Sequence, residues 1–351
     1  MSERSSPPPA LQLDPDRVAR TTEGLRPWRS QGFRVDVQRV GETTVVHNYG
    51  HGGGGVTLSW GTAAQAAERL NDLEASPERT PVTVLGAGAV GLATARTLQE
   101  RGHQVTILTS EMPLDTTSAV AGASWYPLGV FAGAPPSEGR ARVFEDAARR
   151  AHARYLSLVD AGWGVRWVDE YVPDDSRARL ELGMGWTHRM LHDLFPGQVI
   201  LGPGEHPFQA PYALRYRALA IETPIYLAKL MDQLLSDGAT LEQRRIEHVD
   251  QLTGLPDRLL FNCTGAGARA LFGDATLIPV RGELTHLRPQ EGVDYGVHVD
   301  ELRYVVPRST GPVLGATWQP ERADTTREVE DVLGDIRRTL RTGVRRREVT
   351  R

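Results

Sequence analysis

Apolar and polar residues alternate over 33–39, and a β-rich run follows at 43–47, so both predict strands. The next segment, Asn48-Tyr49-Gly50-His51-Gly52-Gly53-Gly54-Gly55, carries too much glycine for either helix or strand. Residues 60–73 are rich in Ala, Glu and Leu and predict a helix, and 76–80 form a polar linker. A short apolar β run at 81–85 leads through Gly86 into a helix ending near 101, then a second strand at 105–109; this is a βαβ unit. Residues 115–121 form a small-residue loop, and 143–159 predict a helix. Trp125, Tyr126, Trp163, Trp167, Tyr171 and Trp186 make the middle of the chain aromatic, which fits a substrate-binding unit and equally an ordinary core. An amphipathic helix is predicted at 224–237, stopped by Gly238. Further strands are predicted at 240–246, 259–263, 303–307 and 313–318, and a charged amphipathic helix at 326–341.

Composition narrows the function classes. The chain has 351 residues, 40% hydrophobic and 24% charged, as in globular proteins that fold as one large or two closely packed domains. A net charge of −4 argues against nucleic-acid or anionic-membrane partners. The single cysteine, Cys263, cannot form an internal disulfide, and no apolar run spans a bilayer. Residues 1–16 lack the apolar core of a signal peptide, so a cytoplasmic location is expected. The Ser-Pro-Pro-Pro stretch points to a flexible arm over 1–19.

Gly86-Ala87-Gly88-Ala89-Val90-Gly91 is a G-x-G-x-x-G set between a strand and a helix. Gly86 permits the tight turn, Gly88 lets backbone approach a pyrophosphate, and Gly91 lets helix and strand pack closely. Ala89 and Val90 open the helix, whose N-terminal N–H groups and dipole favour phosphate. Glu111 stands about twenty residues past Gly91, where an acid can hold ribose hydroxyls; a solvated loop charge is the other reading. Asn262-Cys263-Thr264-Gly265-Ala266-Gly267 ends another strand, either as a second close approach to a ligand or as a plain strand-to-turn junction. Cys263 reads as a buried small hydrophobe.

Together these motifs resemble the D-amino-acid oxidases. The nucleotide strand with its glycines is followed by Thr116-Thr117-Ser118-Ala119-Val120-Ala121-Gly122-Ala123-Ser124-Trp125, then by Asn262 to Gly265, Arg281-Gly282-Glu283 (Glu where the family has Gln) and Tyr304-Val305-Val306-Pro307. The family's closing pieces stand instead near the front, as Gly24-Leu25-Arg26-Pro27 and His47 to Gly53. The resemblance therefore covers about residues 20–342 in circularly permuted order. It implies an α/β fold: a discontinuous FAD-binding Rossmann-like domain (34–130 and 214–272) and a mixed-sheet substrate domain (20–33, 131–213 and 273–345).

The resemblance also implies oxidative deamination of D-amino acids by hydride transfer from Cα to N5 of non-covalent FAD, with molecular oxygen as acceptor. Arg26 and Tyr304 match the family's carboxylate-binding pair, a guanidinium fork and a phenol. Trp318 is expected to line the pocket, with a weaker case for Leu128, while Arg303 points away. Gly86, Gly88, Ala89, Val90, Gly91, Glu111, Thr116, Thr117, Gly122, Ile246 and Thr264 are expected along FAD. Gly52, Gly53, Gly55 and Thr57 are expected at its pyrimidine edge, with backbone N–H groups over Gly52–Gly55 and a helix start near Thr57 favouring negative charge there. His47 and His51 lack further ligands in register, so no metal is expected. The residues offer no convincing general base. Homodimerisation stays open. So do a glycine, sarcosine or D-aspartate oxidase, an acceptor other than oxygen, a nicotinamide-binding protein and a non-catalytic flavin module.

Overall fold

The computed structural model describes residues 7–72, 79–131, 135–299, 303–315, 317–320 and 329–342. In chain order the front of the molecule comprises β1 (Val18–Arg29), β2 (Arg34–Val40), β3 (Thr43–Tyr49), α1 (Gly55–Glu68), β4 (Val82–Leu85), α2 (Ala89–Glu100), β5 (Val105–Thr109) and the short α3 (Thr117–Val120). The middle comprises α4 (Glu138–Leu156), β6 (Val165–Asp174), α5 (Arg177–Glu181), α6 (Trp186–Met190), β7 (Val199–Leu201), β8 (Tyr212–Ile221), α7 (Thr223–Ser236), β9 (Thr240–Gln243) and β10 (Leu259–Asn262). The remainder is α8 (Ala268–Phe272), β11 (Leu277–Leu287), β12 (Tyr295–His298), β13 (Tyr304–Val306), β14 (Val313–Gly315), β15 (Gln319–Pro320) and α9 (Val329–Thr342).

Two sheets result. The first has the order β2-β3-β10-β4-β5-β9 and is parallel except for the edge strand β2. Val45, Val46, Val82, Val84, Leu260 and Phe261 are buried along its central strands, as parallel strands covered on both faces require. Helices α1 and α2 pack together, and α1 also meets α4. That second crossing is close because residue 61 is glycine: a Cβ there would lie 1.8 Å from the Ala147 carbonyl oxygen. The second sheet runs β1-β11-β14-β13-β12-β6-β8-β7, with β15 beside β11. Its pairs are antiparallel apart from β12 with β6, so it is mixed, as expected.

One expected domain limit cuts through a strand. A boundary at 214 falls inside β8, which pairs with β6 from Tyr212 to Ile221 and so lies wholly in the second sheet. The expected flexible arm is placed from residue 7 onward. Leu11 and Leu13 are buried against Val332, Leu333, Ile336 and Leu340 of α9, and β1 already begins at Val18. Both chain-end segments therefore share one small core. Several elements differ in extent from the sequence pattern. α1 starts at Gly55 rather than near 60, because a 3-10 turn over Gly52–Gly54 leads straight into it. The predicted loop at 115–121 contains α3, and the strands predicted at 240–246 and 313–318 stop at Gln243 and Gly315. The predicted linker at 76–80 and the start of the helix predicted at 326–341 fall partly outside the described residues.

Candidate active site

The carboxyl ends of β4, β5 and β10, the glycine-rich entry to α1 and the inner face of the second sheet enclose a cavity of about 490 Å3. Ligands in open α/β sheets bind at such carboxyl ends. Gly86, Gly88, Ala89, Val90, Glu111, Thr116, Thr117, Gly122, Ile246 and Thr264 line it, as do Gly52, Gly53, Gly55, Thr57, Arg26, Tyr304, Trp318 and Leu128. Gly91 does not line it, nor does Gly54 within the 52–55 run. A Cβ at residue 91 would sit 2.0 Å from the Gly86 carbonyl oxygen, so its glycine serves helix–strand packing, the third role in the motif. Gly86 has φ +103 and faces the Cys263 carbonyl, where only glycine fits without strain. Ser118 closes the helix start by accepting a 3.0 Å hydrogen bond from the Ala89 N–H.

The His-Asn-Tyr-Gly-His run ties elements together. His47 contacts Gln38 Oε1 at 2.9 Å through Nε2 and Asn262 Nδ2 at 3.0 Å through Nδ1, which joins this run to the Asn-Cys-Thr-Gly turn. Asn48 donates to Thr94, Tyr49 donates to Asp274, and His51 bonds Thr62. Burial lowers the pKa of His47 to about 4 and of His51 to about 3, so both rings are neutral. Burial also pushes the Cys263 thiol up to about 12, which leaves it inert as a nucleophile. One expectation needs correction. The Gly53 N–H bonds the Gly129 carbonyl and the Gly54 N–H bonds the His51 carbonyl, so those two donors are spent within the protein.

Arg26 on β1 crosses to the facing strand β11, where its guanidinium lies over Gly282; a Cβ at 282 would fall 2.4 Å from it. Its Nη1 donates to the Thr317 carbonyl at 2.8 Å, and its charge lies 5.8 Å from the Trp318 ring centroid. Tyr304 on β13 is set in the same way over Gly315, where a Cβ would come within 2.0 Å of the ring. Burial raises the phenol's pKa, while Arg26 and Arg308 act against that rise. The two glycines thus make room for the cation and the phenol to meet in one cavity. Arg303 is turned away and pairs with Asp335 of α9 at 3.0 Å.

Several wall residues escaped sequence reasoning. Ser124, Tyr126, Leu284, His298 and Gly282 line the cavity, as do Arg244 and Arg245, where the Arg244 N–H bonds the Thr109 carbonyl at the end of β5. Arg308 donates to the Ala121 and Gly122 carbonyls and to Thr223 Oγ1, locking the loop that faces Tyr304. Gly282 lay within a recognised motif, but its role depends on a cross-strand partner invisible in linear order.

The fit of a flavin dinucleotide rests on this cradle: glycines at 52, 86 and 88 where backbone borders the cavity, and two helix N-termini, of α1 and α2, opening onto it. A sequence model described as DAO, FAD-dependent oxidoreductase, matches residues 81–351. The chain is 34% identical to a D-amino-acid oxidase of Rubrobacter xylanophilus over 69% of this chain and 71% of that one. It is 30% identical to a D-amino-acid oxidase of Streptomyces coelicolor, over 73% and 76%. Its fold is similar to that of glycine oxidase from Geobacillus kaustophilus, with TM-score 0.57, 19% identity, and coverage of 74% of this chain and 77% of that one.

Proposed function

Because the chain belongs to the family of FAD-dependent oxidoreductases, and FAD is its cofactor, we propose that it oxidises D-amino acids to 2-oxo acids, with release of ammonia and transfer of electrons to oxygen. The observation that carries this reading is the pairing of Arg26 and Tyr304 in one cavity with the nucleotide glycines. A planar guanidinium held by Thr317 binds a carboxylate at two points, and the phenol supplies a further donor. Three fixed donors define the plane of the carboxylate and hence the direction of the Cα–H bond. Bound FAD supplies the two-electron acceptor. Along it would lie Gly86, Gly88, Ala89, Val90, Glu111, Thr116, Thr117, Gly122, Ile246, Thr264, Gly52, Gly53, Gly55 and Thr57. Trp318, packed edge-on to Trp28 at 5.9 Å, walls the substrate side. The described helices include none long and apolar enough to cross a membrane.

We also infer that the chain order is a circular permutation of the family's. Supporting this, Arg26 on a strand preceding the nucleotide unit meets Tyr304 near the far end of the sequence, and residues 11–13 pack on α9. Exchange of termini is tolerated where chain ends lie close together.

The test is direct. The purified protein, yellow with FAD, should bleach when a D-amino acid is added under nitrogen and yield peroxide on admission of air. The L-enantiomers should do neither. Bleaching by an amine without a carboxylate, equally fast, would refute the role of Arg26 and Tyr304.

A further inference from the structure

Glu170 lies midway along β6, opposite Tyr216 on β8 and beside Gly296 on β12. Its carboxyl is fully buried, and it fits only because residue 296 is glycine; a Cβ there would be 2.1 Å from Oε2. Two polar side chains approach it, and both line the substrate cavity. Ser124 Oγ donates to Oε1 at 2.7 Å, and His298 Nε2 lies 3.7 Å from Oε2. Oε2 itself has no hydrogen-bond partner among the described residues. Ser124 is aimed by its neighbours. Ala123 takes the left-handed conformation, φ 57, while its carbonyl accepts from the Ile221 N–H and the Trp125 N–H bonds the Leu219 carbonyl. A non-glycine residue held at positive φ is a conformation that the surrounding structure must enforce.

A D-amino acid arrives as an ammonium, yet its Cα–H can leave as hydride only when the nitrogen lone pair is free. One proton must therefore leave the nitrogen first. We propose that Glu170 takes up this proton from the substrate's ammonium, with Ser124 Oγ as the relay. In the step an N–H bond of the ammonium breaks and an O–H bond forms on Ser124. The hydroxyl proton that Ser124 held passes to Glu170 Oε1, so the carboxylate becomes a carboxylic acid and the substrate a neutral amine. No electrons change hands; the hydride leaves Cα afterwards. The inference rests on the amino-acid oxidase reading above. Ser124 already donates toward the carboxyl, so the relay needs no rotation of the acceptor. Glu170 acts through Ser124 and is a positioning, proton-holding group rather than one that touches substrate.

The surroundings suit such an exchange. Burial pushes the Glu170 pKa up to about 8; the Ser124 hydrogen bond opposes this, and Asp169 on the same strand adds to it. His298 faces the carboxyl from β12, with its ring near Tyr126 and Tyr304, and Tyr216 faces it from β8. A proton acceptor works best when its pKa is close to the working pH.

The test uses the FAD-bound enzyme and the variants E170Q and S124A. In the unmodified enzyme kcat/KM should rise with pH through an ionisation near 8. In E170Q that ionisation should vanish, the rise should move into the range of the free substrate's own ammonium, and the rate at about pH 8 should fall at least ~10-fold. Infrared difference spectra give a readout independent of turnover. A protonated-carboxyl band should be present in the unmodified protein below the ionisation, disappear above it, and be missing from E170Q. S124A leaves the carboxyl in place, so it should keep the band but lose the rate, which carries the test even if E170Q does not fold. An unchanged pH profile in E170Q, the lack of a titrating carboxyl band, or full activity in S124A would each overturn the inference alone. Failure of every D-amino acid to bleach the unmodified enzyme would instead overturn the oxidase reading, and this inference with it.

Discussion

Gly282→Ala tests how the carboxylate clamp is built. A methyl group at 282 would lie 2.4 Å from three atoms of the Arg26 guanidinium, against about 3.5 Å or more for relaxed contact. The guanidinium must retreat by about 1 Å. It is the far end of a flexible side chain, so the fold loses little, and the backbone at 282 has no positive φ to strain an alanine. The retreat disturbs the 2.8 Å bond to the Thr317 carbonyl and displaces the fork from its place beside Tyr304. A hydrogen bond from a charged group contributes about 1.5–3 kcal/mol, and a misplacement of about 1 Å can cost 10²-fold in rate. We therefore expect kcat/KM for D-amino acids to fall about 10- to 100-fold, with bound FAD and melting temperature nearly unchanged. Stopped-flow bleaching under nitrogen measures the first, and the flavin spectrum with a thermal melt the second. A kcat/KM within about twofold of the unmodified protein, in a variant that is fully yellow, would refute the claim that Gly282 makes room for Arg26.

Arg26→Ala should retain FAD and lose about 2–5 kcal/mol of transition-state binding, read as kcat/KM; near-normal kinetics would remove Arg26 from the site. Gly88→Val should abolish FAD retention, since its first added carbon already lies 3.1 Å from Ser118 Oγ and the rest of the side chain must enter the cavity; a folded, fully yellow variant would contradict this. Stability should fall on acidification. The folded-state pKa values of His47 and His51 are depressed to about 4 and about 3, so the unfolded chain takes up their protons first. Their contribution is whole above the usual value of 6.5 and is lost as pH drops from there through the folded values. Melting temperatures measured across that window should decline, and His51→Gln should flatten the decline; an unchanged slope would show that His51 does not take part.

How much of this was legible in the chain depends on the scale at which each feature is encoded. The βαβ unit could be read because its strands are short, apolar and doubly buried, and its turn needs glycines at fixed spacing. The strands β1, β6, β8, β11 and β12 could not be read, although they build most of the second sheet. β1 contains Gly24 and Pro27 and leaves much of its first half exposed, which blurs the alternation of apolar and polar positions. β6 carries Asp169 and Glu170 in mid-strand, a charged pair that resembles a loop until the burial of Glu170 is known. The same concealment hid the acid behind Ser124. A carboxyl in such a strand gives no local sign that it faces a cavity formed by residues far away in sequence.

The cavity sits at the seam of the two sheets, and this explains which site residues could be found. The residues proposed to lie along the nucleotide are mostly glycines and small side chains in short continuous runs, as at 86–90 and 52–55, so their signal survives in linear order. The groups proposed to act on substrate, and the acid behind Ser124, lie on separate strands instead, and each side chain needs an empty position facing it: Gly282 for Arg26, Gly315 for Tyr304, Gly296 for Glu170. Those glycines carry ordinary extended backbone, so no turn or positive φ betrays them. Their meaning lies in the ladder across from them, and the ladder is insensitive to where the chain is cut. β1 can precede β11 by most of the sequence and still place Arg26 over Gly282, because the register of Gly24 with Gly282 and Arg26 with Val280 is set by pairing and not by chain order. A permuted chain can therefore keep the same chemistry, provided each side chain retains the glycine that receives it.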